Sequence, residues 1–348
     1  MVNNTYLHYS ITKSALLTST DSPSFKSNKF FSKIGWKELL GIAFILVAIY
    51  FFWKERKELS SLGQSLQNTD ILWLWIGVAF TVIYVLLQAG LYIYSFTAIR
   101  GSISWMNAII LFLKRNVIAV FLPGGGLTAL AYMPSGIAAT DKDKQAVYHA
   151  SVIYGFIGIF SVFIVAVPVL LYLSMQHKPV PGTTAAFITV VAMLIAIVLF
   201  VRSVQHRGPF YRWAIKGRPK LNKLLTEVFS FDLIMQQFWY AVIVSSLIEV
   251  VGVIHLYIAM KAIGVEPSWP GSVVAYIIST IFLIISPFLR GMGAIEVSLM
   301  LILKGYGYTA IQSLEIAILF RFFEFWLPLV AGLVTYATKV RSLWSADK

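Results

Sequence analysis

An uninterrupted apolar stretch is the feature that most constrains how this chain can fold. Residues 71–98 contain no charged side chain and are mostly aliphatic or aromatic. A helix that crosses a bilayer needs roughly 20 such residues, so this stretch is long enough to cross. Its apolar residues are continuous, whereas the strands of a membrane β-barrel alternate with a period of two. The stretch therefore predicts an all-α integral membrane protein.

The composition extends this prediction to the rest of the chain. Hydrophobic residues make up 58% of the 348 residues and charged residues only 12%, whereas soluble domains are about a quarter charged. The formal net charge is +13. The basic residues lie mostly in the N-terminal tail and in loops, where they favour contact with anionic lipid rather than nucleic acid. The absence of cysteine excludes disulfides, thiolate catalysis and Cys-ligated metal sites.

Six apolar runs are predicted to be full crossings, which makes the protein polytopic. They are about 37–53, 71–96, 147–174, 183–201, 237–262 and 311–337.

Two further apolar regions, about 106–138 and 270–304, are interrupted by helix-breaking residues. The breaks are at Pro123, Gly124 and Gly125 in the first region and at Pro287, Gly291 and Gly293 in the second. Non-helical backbone is tolerated at membrane depth only where protein or a water-filled cavity surrounds it. We therefore expect each region to be a re-entrant helical hairpin, although two extra full crossings in each region would preserve the same topology.

Positive charge predicts the orientation. The segment 1–35 lacks the apolar core of a signal peptide and is predicted to be a disordered cytoplasmic tail. This tail, the basic loop at 202–223 and the C-terminus are all expected on the cytoplasmic side. Six crossings and two hairpins satisfy that expectation and define a membrane domain over 36–342. The protein is thus predicted to be multi-pass, with both termini in the cytoplasm.

The spacing of these segments predicts an inverted repeat. Units at about 71–174 and 237–337 each consist of a crossing, a hairpin and a crossing, and Pro287 follows Pro123 by 164 residues. In the predicted topology the first unit starts outside and the second starts inside. Inverted repeats are common in alternating-access transporters, where broken segments at corresponding positions mark the binding site.

Charged residues in apolar surroundings are the candidate substrate-binding groups. They are Arg321, Glu296, Arg290, Glu249 and Arg115. Intramembrane charges are costly and normally face a partner or a cavity, and a guanidinium suits bidentate phosphate recognition. Alternatively, Glu249 is a packing carboxylate that binds Ser245 or a basic neighbour. Arg321 and Glu324 are three residues apart, which predicts an ion pair on one helical face.

Motifs for metal or cofactor binding are absent from the sequence. It contains no zinc-protease, phosphate-loop, nucleophile-elbow or dinucleotide-binding pattern. His149 and His255 are isolated, so we expect packing residues rather than metal ligands. The sequence predicts neither a metal nor a cofactor.

The second broken region and the helix after it resemble a known family. The pattern is that of the lysylphosphatidylglycerol synthetase transmembrane-region family, which includes the flippase-like membrane part of the multiple-peptide-resistance-factor proteins. The residues that carry it are Ser286, Pro287, Gly291, Gly293, Glu296, Gly305, Arg321, Pro328 and Gly332. The Pro123-Gly124 turn fits the first-half motif, but 127–130 is neutral where family members often carry charge. The resemblance implies a bacterial inner-membrane protein that handles lipid, with Glu296 and Arg321 at characteristic polar positions.

The leading functional hypothesis is a flippase-like transporter for a phospholipid or a lipid-linked head group. One alternative is an ion-coupled transporter of small solutes, with Glu249 as the protonatable group. Another is a non-catalytic membrane subunit that partners a separate lipid-modifying transferase, and a homo-oligomer also stays open. The chain ends soon after the last predicted crossing, which leaves no room for the soluble transferase domain of bifunctional family members. Synthase activity is therefore not expected.

Overall fold

A computed structural model describes most of the predicted membrane domain. It covers residues 69–121, 129–133, 141–175, 183–206, 208–216, 233–285 and 294–346. The predicted tail at 1–35, the predicted crossing at 37–53 and both predicted hairpin tips lie outside these ranges. All of the described residues belong to one compact unit, Leu46–Lys348.

The described residues are helical and contain no strand. The helices are α1 (Ile71–Ala98), α2 (Trp105–Phe121), α3 (Asp141–Ser174), α4 (Thr183–Gln205), α5 (Pro209–Ile215), α6 (Met235–Ala262), α7 (Trp269–Ile285), α8 (Ala294–Gly305), α9 (Ala310–Arg321) and α10 (Leu327–Ala346). A π-helical segment, Phe322–Trp326, joins α9 to α10 without a break. The short helix α5 lies in the predicted basic loop, where the sequence did not indicate a helix.

Four helical stretches in the described part of the chain are long and apolar enough to cross a membrane. They are Ile71–Ala98, Lys144–Tyr172, Met235–Ala262 and Ala310–Tyr336. Helix α4, at the predicted crossing 183–201, contains a shorter apolar stretch, Phe187–Ala196. Large apolar side chains such as Trp75, Trp239 and Val330 are more than half exposed, while Glu249 and Arg321 are buried. Apolar side chains outside and charged ones inside are what a lipid solvent requires, so the protein is a multi-pass α-helical membrane protein.

Helices α1 and α6 form an antiparallel pair that is tied together at both ends. The backbone N–H of Asp70, before α1, donates to the carbonyl of Ala262, the last residue of α6, at 2.9 Å. The N–H of Ile234, before α6, donates to the carbonyl of Ala98, the last residue of α1, also at 2.9 Å. The first N–H groups and last carbonyls of a helix have no partner within it. Each helix therefore satisfies a terminal group of the other.

The ends of α1 and α6 have the same backbone geometry. Arg100 and Gly264 both adopt left-handed conformations, with φ of 61° and 74°. The N–H groups of Gly101 and Val265 then donate to Phe96 and Met260 carbonyls at 2.9 and 3.2 Å. In addition, the N–H of Arg100 donates to the carbonyl of Thr97, and the N–H of Gly264 donates to the carbonyl of Lys261. These two pairs of hydrogen bonds form a Schellman motif at the end of each helix.

The next helices begin in the same way as well. Ser104 precedes α2 and Ser268 precedes α7, and their hydroxyls accept from the N–H groups of Asn107 and Gly271 at 3.3 and 3.1 Å. A serine at this position caps an otherwise unsatisfied helix start. Helices α1 and α6 both contain 28 residues, and α2 and α7 both contain 17. All four boundaries of the pair α1–α2 recur 164 residues later in the pair α6–α7.

Helix α6 lies between two apolar clusters that form most of the core. The first cluster packs α6 against residues of α1, α2 and α3, and includes Tyr92, Leu111 and Ile157. The second packs it against α7, α8, α9 and the π segment, and includes Leu299 and Phe323. Polar side chains carried by the middle of α6 are therefore enclosed on several sides.

Candidate functional site

Glu249, near the middle of α6, is the centre of a buried polar cluster. Its carboxylate is contacted on both oxygens: Ser161 of α3 lies 3.1 Å from Oε1, and the Tyr276 hydroxyl of α7 donates to Oε2 at 2.9 Å. Ser245, one turn earlier on α6, donates to the Ser161 hydroxyl at 2.8 Å. The sequence offered a direct hydrogen bond between Ser245 and Glu249 as an alternative, whereas in the structure Ser245 reaches Glu249 through Ser161. Three helices meet at this carboxylate.

A glycine on α6 allows this cluster to form. A Cβ atom at Gly252 would lie 2.0 Å from the Tyr276 ring, far inside van der Waals contact. The ring therefore packs directly on the α6 backbone, and this packing directs the Tyr276 hydroxyl towards Glu249. Glycine is required here by close approach rather than by an unusual backbone conformation.

A second polar pair lies further along α6. His255 is fully buried, and its Nδ1 lies 2.8 Å from Oε1 of Glu324 in the π segment. Its other ring nitrogen lies 3.5 Å from the Thr81 hydroxyl of α1. The His255 ring also stacks on Phe323, with centroids 5.6 Å apart. The expectation that His255 is a packing residue leaves out this pairing with a carboxylate.

The π segment directly precedes a proline. The Leu327 N–H donates to the carbonyl of Phe322, five residues earlier. Pro328 follows and has no N–H, so it cannot donate to the Phe323 carbonyl. The Thr81 hydroxyl lies 3.1 Å from that carbonyl and 3.0 Å from the Gly77 carbonyl, so its one hydrogen is available to either. Single π turns inside α-helices frequently occur at functional sites.

Arg321, the last residue of α9, forms a close ion pair with Glu296 of α8. Its Nε lies 2.6 Å from Oε1, and both side chains are largely buried, at 5% and 12% exposed. The contact is a charge pair rather than an aligned hydrogen bond. The guanidinium also lies 4.4 Å from the centroid of the Phe325 ring, in a cation–π arrangement. The structure brings together two residues that the sequence identified separately as candidate binding groups.

The predicted ion pair between Arg321 and Glu324 is wrong. Arg321 pairs with Glu296, and Glu324 pairs with His255. The prediction assumed α-helical spacing, in which residues three apart share a face. Because the π segment begins at Phe322 and its turn is wider, Glu324 is rotated away from Arg321.

Arg115 of α2 is buried and already occupied by protein groups. Its guanidinium makes four hydrogen bonds, of 2.8 to 3.2 Å, to the carbonyls of Leu130 and Tyr132 and to the Tyr92 hydroxyl. These bonds hold the segment that follows the Pro123 break against α1 and α2. A substrate-binding role for Arg115 stays a prediction, and its observed contacts are those of a clamp.

The remaining predicted residues have no described position. Arg290, Pro287, Gly291 and Gly293 lie outside the described residues, as do Pro123, Gly124 and Gly125. Conversely, Ser161, Tyr276 and Thr81 were missed, because they resemble any hydroxyl residue in an apolar helix. Within the described ranges, no three His, Asp or Glu side chains are grouped so that they could hold a metal ion.

Comparison with known proteins identifies the family. The family model described as lysylphosphatidylglycerol synthase TM region matches residues 39–332. No curated protein and no solved structure was found to match the chain. The family match contains all of α1 to α9 and the π segment, and therefore both buried carboxylate clusters and the Arg321–Glu296 pair. The resemblance noted in the sequence is confirmed: the chain belongs to the lysylphosphatidylglycerol synthase TM region family.

Proposed function

We propose that this protein is a flippase-like transporter that moves a phospholipid or a lipid-linked head group between the two leaflets. The observation that carries the proposal is the Arg321–Glu296 ion pair, which lies largely buried inside the helical bundle. Charged residues inside membrane proteins generally mark a substrate or ion pathway. A phospholipid head group supplies the phosphate, and in zwitterionic or aminoacylated lipids the amine, that such a pair can bind.

The lengths of the helices beside the pair support a hairpin architecture. The described parts of α8 and α7 have 12 and 17 residues, so they extend about 18 and 26 Å at 1.5 Å per residue. The hydrocarbon core is about 30 Å thick. We assign α7 and α8 as the arms of a re-entrant hairpin with its tip at 286–293, and α2 as the first arm of the other hairpin. Six full crossings complete the fold.

The matched pairs α1–α2 and α6–α7 support an inverted repeat. Their boundaries are offset uniformly, and α1 and α6 run in opposite directions. Two units with opposite orientation provide two related conformations, one open to each side of the membrane. In this arrangement the two hairpins enter from opposite faces, with the N- and C-termini on the cytoplasmic side of a bacterial inner membrane.

Exchange of ion pairs explains how a head group enters the site. In the ligand-free state Arg321 and Glu296 neutralise each other. A zwitterionic head group replaces this contact with two, one between its phosphate and Arg321 and one between its ammonium and Glu296. Separating a buried pair without such replacement leaves uncompensated charges, which is strongly unfavourable. The site therefore favours a head group that carries both signs of charge. A role for Arg290 in binding phosphate stays a prediction from the sequence, since this residue lies outside the described ranges.

A surface depression of about 750 Å³ lies where α6 and α8 end and where α7 and α9 begin. It is open, and the turns 264–270 and 306–308 form its walls. The side chains around it include Glu266, Trp269 and Tyr308. Aromatic faces and a carboxylate attract ammonium groups, so we assign the depression as the place where an amine-bearing head group first docks. The Tyr308 hydroxyl donates to the Glu266 carbonyl at 2.8 Å, and partial burial raises the pKa of Tyr308.

A leaflet assay tests the proposal. The purified protein is reconstituted into vesicles that contain acyl-labelled fluorescent phosphatidylethanolamine or phosphatidylglycerol, and dithionite bleaches the probe in the outer leaflet. We expect the native protein to render nearly all of the probe accessible, and Arg321→Gln and Glu296→Gln to slow the exchange at least tenfold. Glu315→Gln, a change at a half-buried acid of α9 outside the ion pair, should leave it unchanged.

Equal lipid crossing in vesicles with and without the protein would refute the proposal. The substrate should leave the assay chemically unchanged, which thin-layer chromatography of the recovered lipid checks. Product formation or co-purification of a transferase without lipid movement would favour a membrane subunit of a lipid-modifying complex instead.

A further inference from the structure

Unlike the other largely buried carboxylates of the described region, Glu249 has no basic side chain in contact with it. Glu296 pairs with Arg321 and Glu324 with His255. The contacts of Glu249 are hydroxyl groups, from Ser161 and Tyr276, and its side chain is 6% exposed. A buried carboxylate without a counter-charge is unfavourable when ionised. The closed arrangement of this cluster is therefore suited to a neutral carboxyl group.

The hydrogens of the cluster can be arranged in two complete ways. Ser161 has one hydroxyl hydrogen, yet its Oγ lies 3.0 Å from the Gly158 carbonyl and 3.1 Å from Oε1 of Glu249. With Glu249 ionised, Ser161 donates to the carboxylate. With Glu249 protonated, the carboxyl O–H donates to Ser161, which turns its own hydrogen to Gly158. Ser161 accepts from Ser245 in both cases, so the cluster accommodates one proton without losing a hydrogen bond.

The neighbouring groups are consistent with one exchangeable proton. Helix α7 contributes Tyr276 and α3 contributes Ser161. Tyr84 of α1 and Glu324 of the π segment are the other titratable groups near Tyr276 and Glu249. On the same helix His255 is paired with Glu324, and on α9 Arg321 is paired with Glu296. No surrounding described group supplies a permanent positive charge to Glu249.

We infer that Glu249 takes up and releases one proton in each transport cycle, so that a proton gradient drives lipid movement. The inference rests on the proposed function and names its energy source. Uptake forms an O–H bond at Oε1 with a proton from water on the side of higher proton activity. Release breaks that bond and delivers the proton to water on the other side. No other bond changes.

Geometry couples this proton to the conformation of the protein. The two carboxyl oxygens contact α3 on one side and α7 on the other. The neutral form remains buried between these helices at little cost, whereas the ionised form gains from hydration and favours their separation. A ligand can shift a conformational equilibrium only by binding its states unequally, and the proton meets that condition here.

Proteoliposomes provide the test. The probe is acyl-labelled fluorescent phosphatidylethanolamine, with potassium and valinomycin clamping the membrane potential. For one proton per lipid, we expect the native protein to shift the leaflet ratio of the probe by about tenfold per pH unit of gradient, and a protonophore to abolish the shift. Glu249→Gln keeps the size and the hydrogen bonds of the neutral form, and we expect it to lose the gradient response. Glu315→Gln should retain it.

Two results would overturn the inference while leaving the proposed function intact. They are lipid movement that ignores the gradient in the native protein, and a full gradient response in Glu249→Gln. No lipid movement by the native protein under any condition would reject the proposed function itself. A second measurement does not depend on how well Glu249→Gln folds. Infrared spectra of the native protein, recorded during a pH titration, should contain a band from the protonated carboxyl group of Glu249. This band should change in Tyr276→Phe, which removes the hydrogen-bond donor to Oε2. An unchanged band would contradict the assignment.

Discussion

The pairs α1–α2 and α6–α7 have nearly the same backbone and very different chemistry. Both pairs have the same helix lengths, the same Schellman ends and the same serine caps. At corresponding positions, however, Val85 matches Glu249 and Leu91 matches His255. Likewise Gln88 matches Gly252, and Phe112 matches Tyr276. The comparison teaches that the same backbone path can be repeated without its chemistry. The titratable groups of the candidate site are concentrated in the pair α6–α7 and in the helices that follow this pair.

The two buried arginines extend the contrast. Arg115 binds carbonyl and hydroxyl oxygens, which are neutral and fixed by the protein. Arg321 binds a carboxylate, which a lipid phosphate replaces in the mechanism proposed above. The first arrangement secures a segment of backbone, whereas the second is the one that we propose to exchange partners. Three changes to the protein test how deep this difference between the two regions goes.

The largest expected effect is that of Arg321→Ala, which leaves Glu296 buried without its cation. Breaking a buried pair in this way costs about 3–5 kcal/mol, and we expect a corresponding fall in the free energy of unfolding in detergent. Adding Glu296→Ala should restore a large part of it. Arg115→Ala is the matched control, because its partners are backbone groups and a hydroxyl, so no carboxylate can be removed to rescue it. Failure of Glu296→Ala to rescue would show that Arg321 acts through other contacts.

A methyl group added at Gly252 should have the next largest effect. Gly252→Ala places Cβ 2.0 Å from the nearest atom of the Tyr276 ring, and overpacking of this kind typically costs about 1–3 kcal/mol. The displaced ring also loses its bond to Glu249, so the gradient response should weaken along with thermal stability. At the matching position Gln88 already carries a long side chain, and Gln88→Ala should lower stability only through its hydrogen bond with Tyr154. A Gly252→Ala variant that unfolds and transports like the native protein would contradict this packing.

The smallest effect concerns the left-handed residues that end α1 and α6. Nothing lies within 4 Å of a Cβ built at Gly264, so Gly264→Ala should cost only the conformational strain, about 1–2 kcal/mol. Arg100 already bears that strain at the corresponding position, and Arg100→Gly should therefore be less damaging. Thermal unfolding of the two variants measures the difference. The reverse order would mean that the side-chain contacts of Arg100 outweigh its backbone conformation.

Much of the architecture could be predicted from the sequence because a lipid environment restricts which secondary structures an apolar segment can form. Apolar runs of sufficient length have to become helices in a bilayer, and the predicted crossings 71–96 and 237–262 agree with α1 and α6 within two residues. The recurrence of prolines and apolar runs also indicated the spacing that α1–α2 and α6–α7 display. Residues 286–293 and 122–128 lie outside the described ranges, so the hairpins stay a prediction.

The partners of the buried charges could not be predicted, because they are set by contacts between distant helices. Glu249 meets Ser161, which is 88 residues away, and nothing in the sequence singles out that serine. The Arg321–Glu324 prediction failed for a local reason, since the π segment changes the helical spacing between them. Pro328 was visible as part of a family pattern, but the π segment before it also contacts Thr81, from a helix more than 200 residues earlier.

The reciprocal hydrogen bonds between the ends of α1 and α6 have a mechanical consequence. Two helices bonded at only one end can pivot about that end. Helices α1 and α6 are bonded at both ends by backbone hydrogen bonds of 2.9 Å, so sliding or pivoting of one against the other breaks at least one of these bonds. In the transport mechanism proposed above, we therefore expect α1 and α6 to move together as one rigid pair, while the helices packed against them change position.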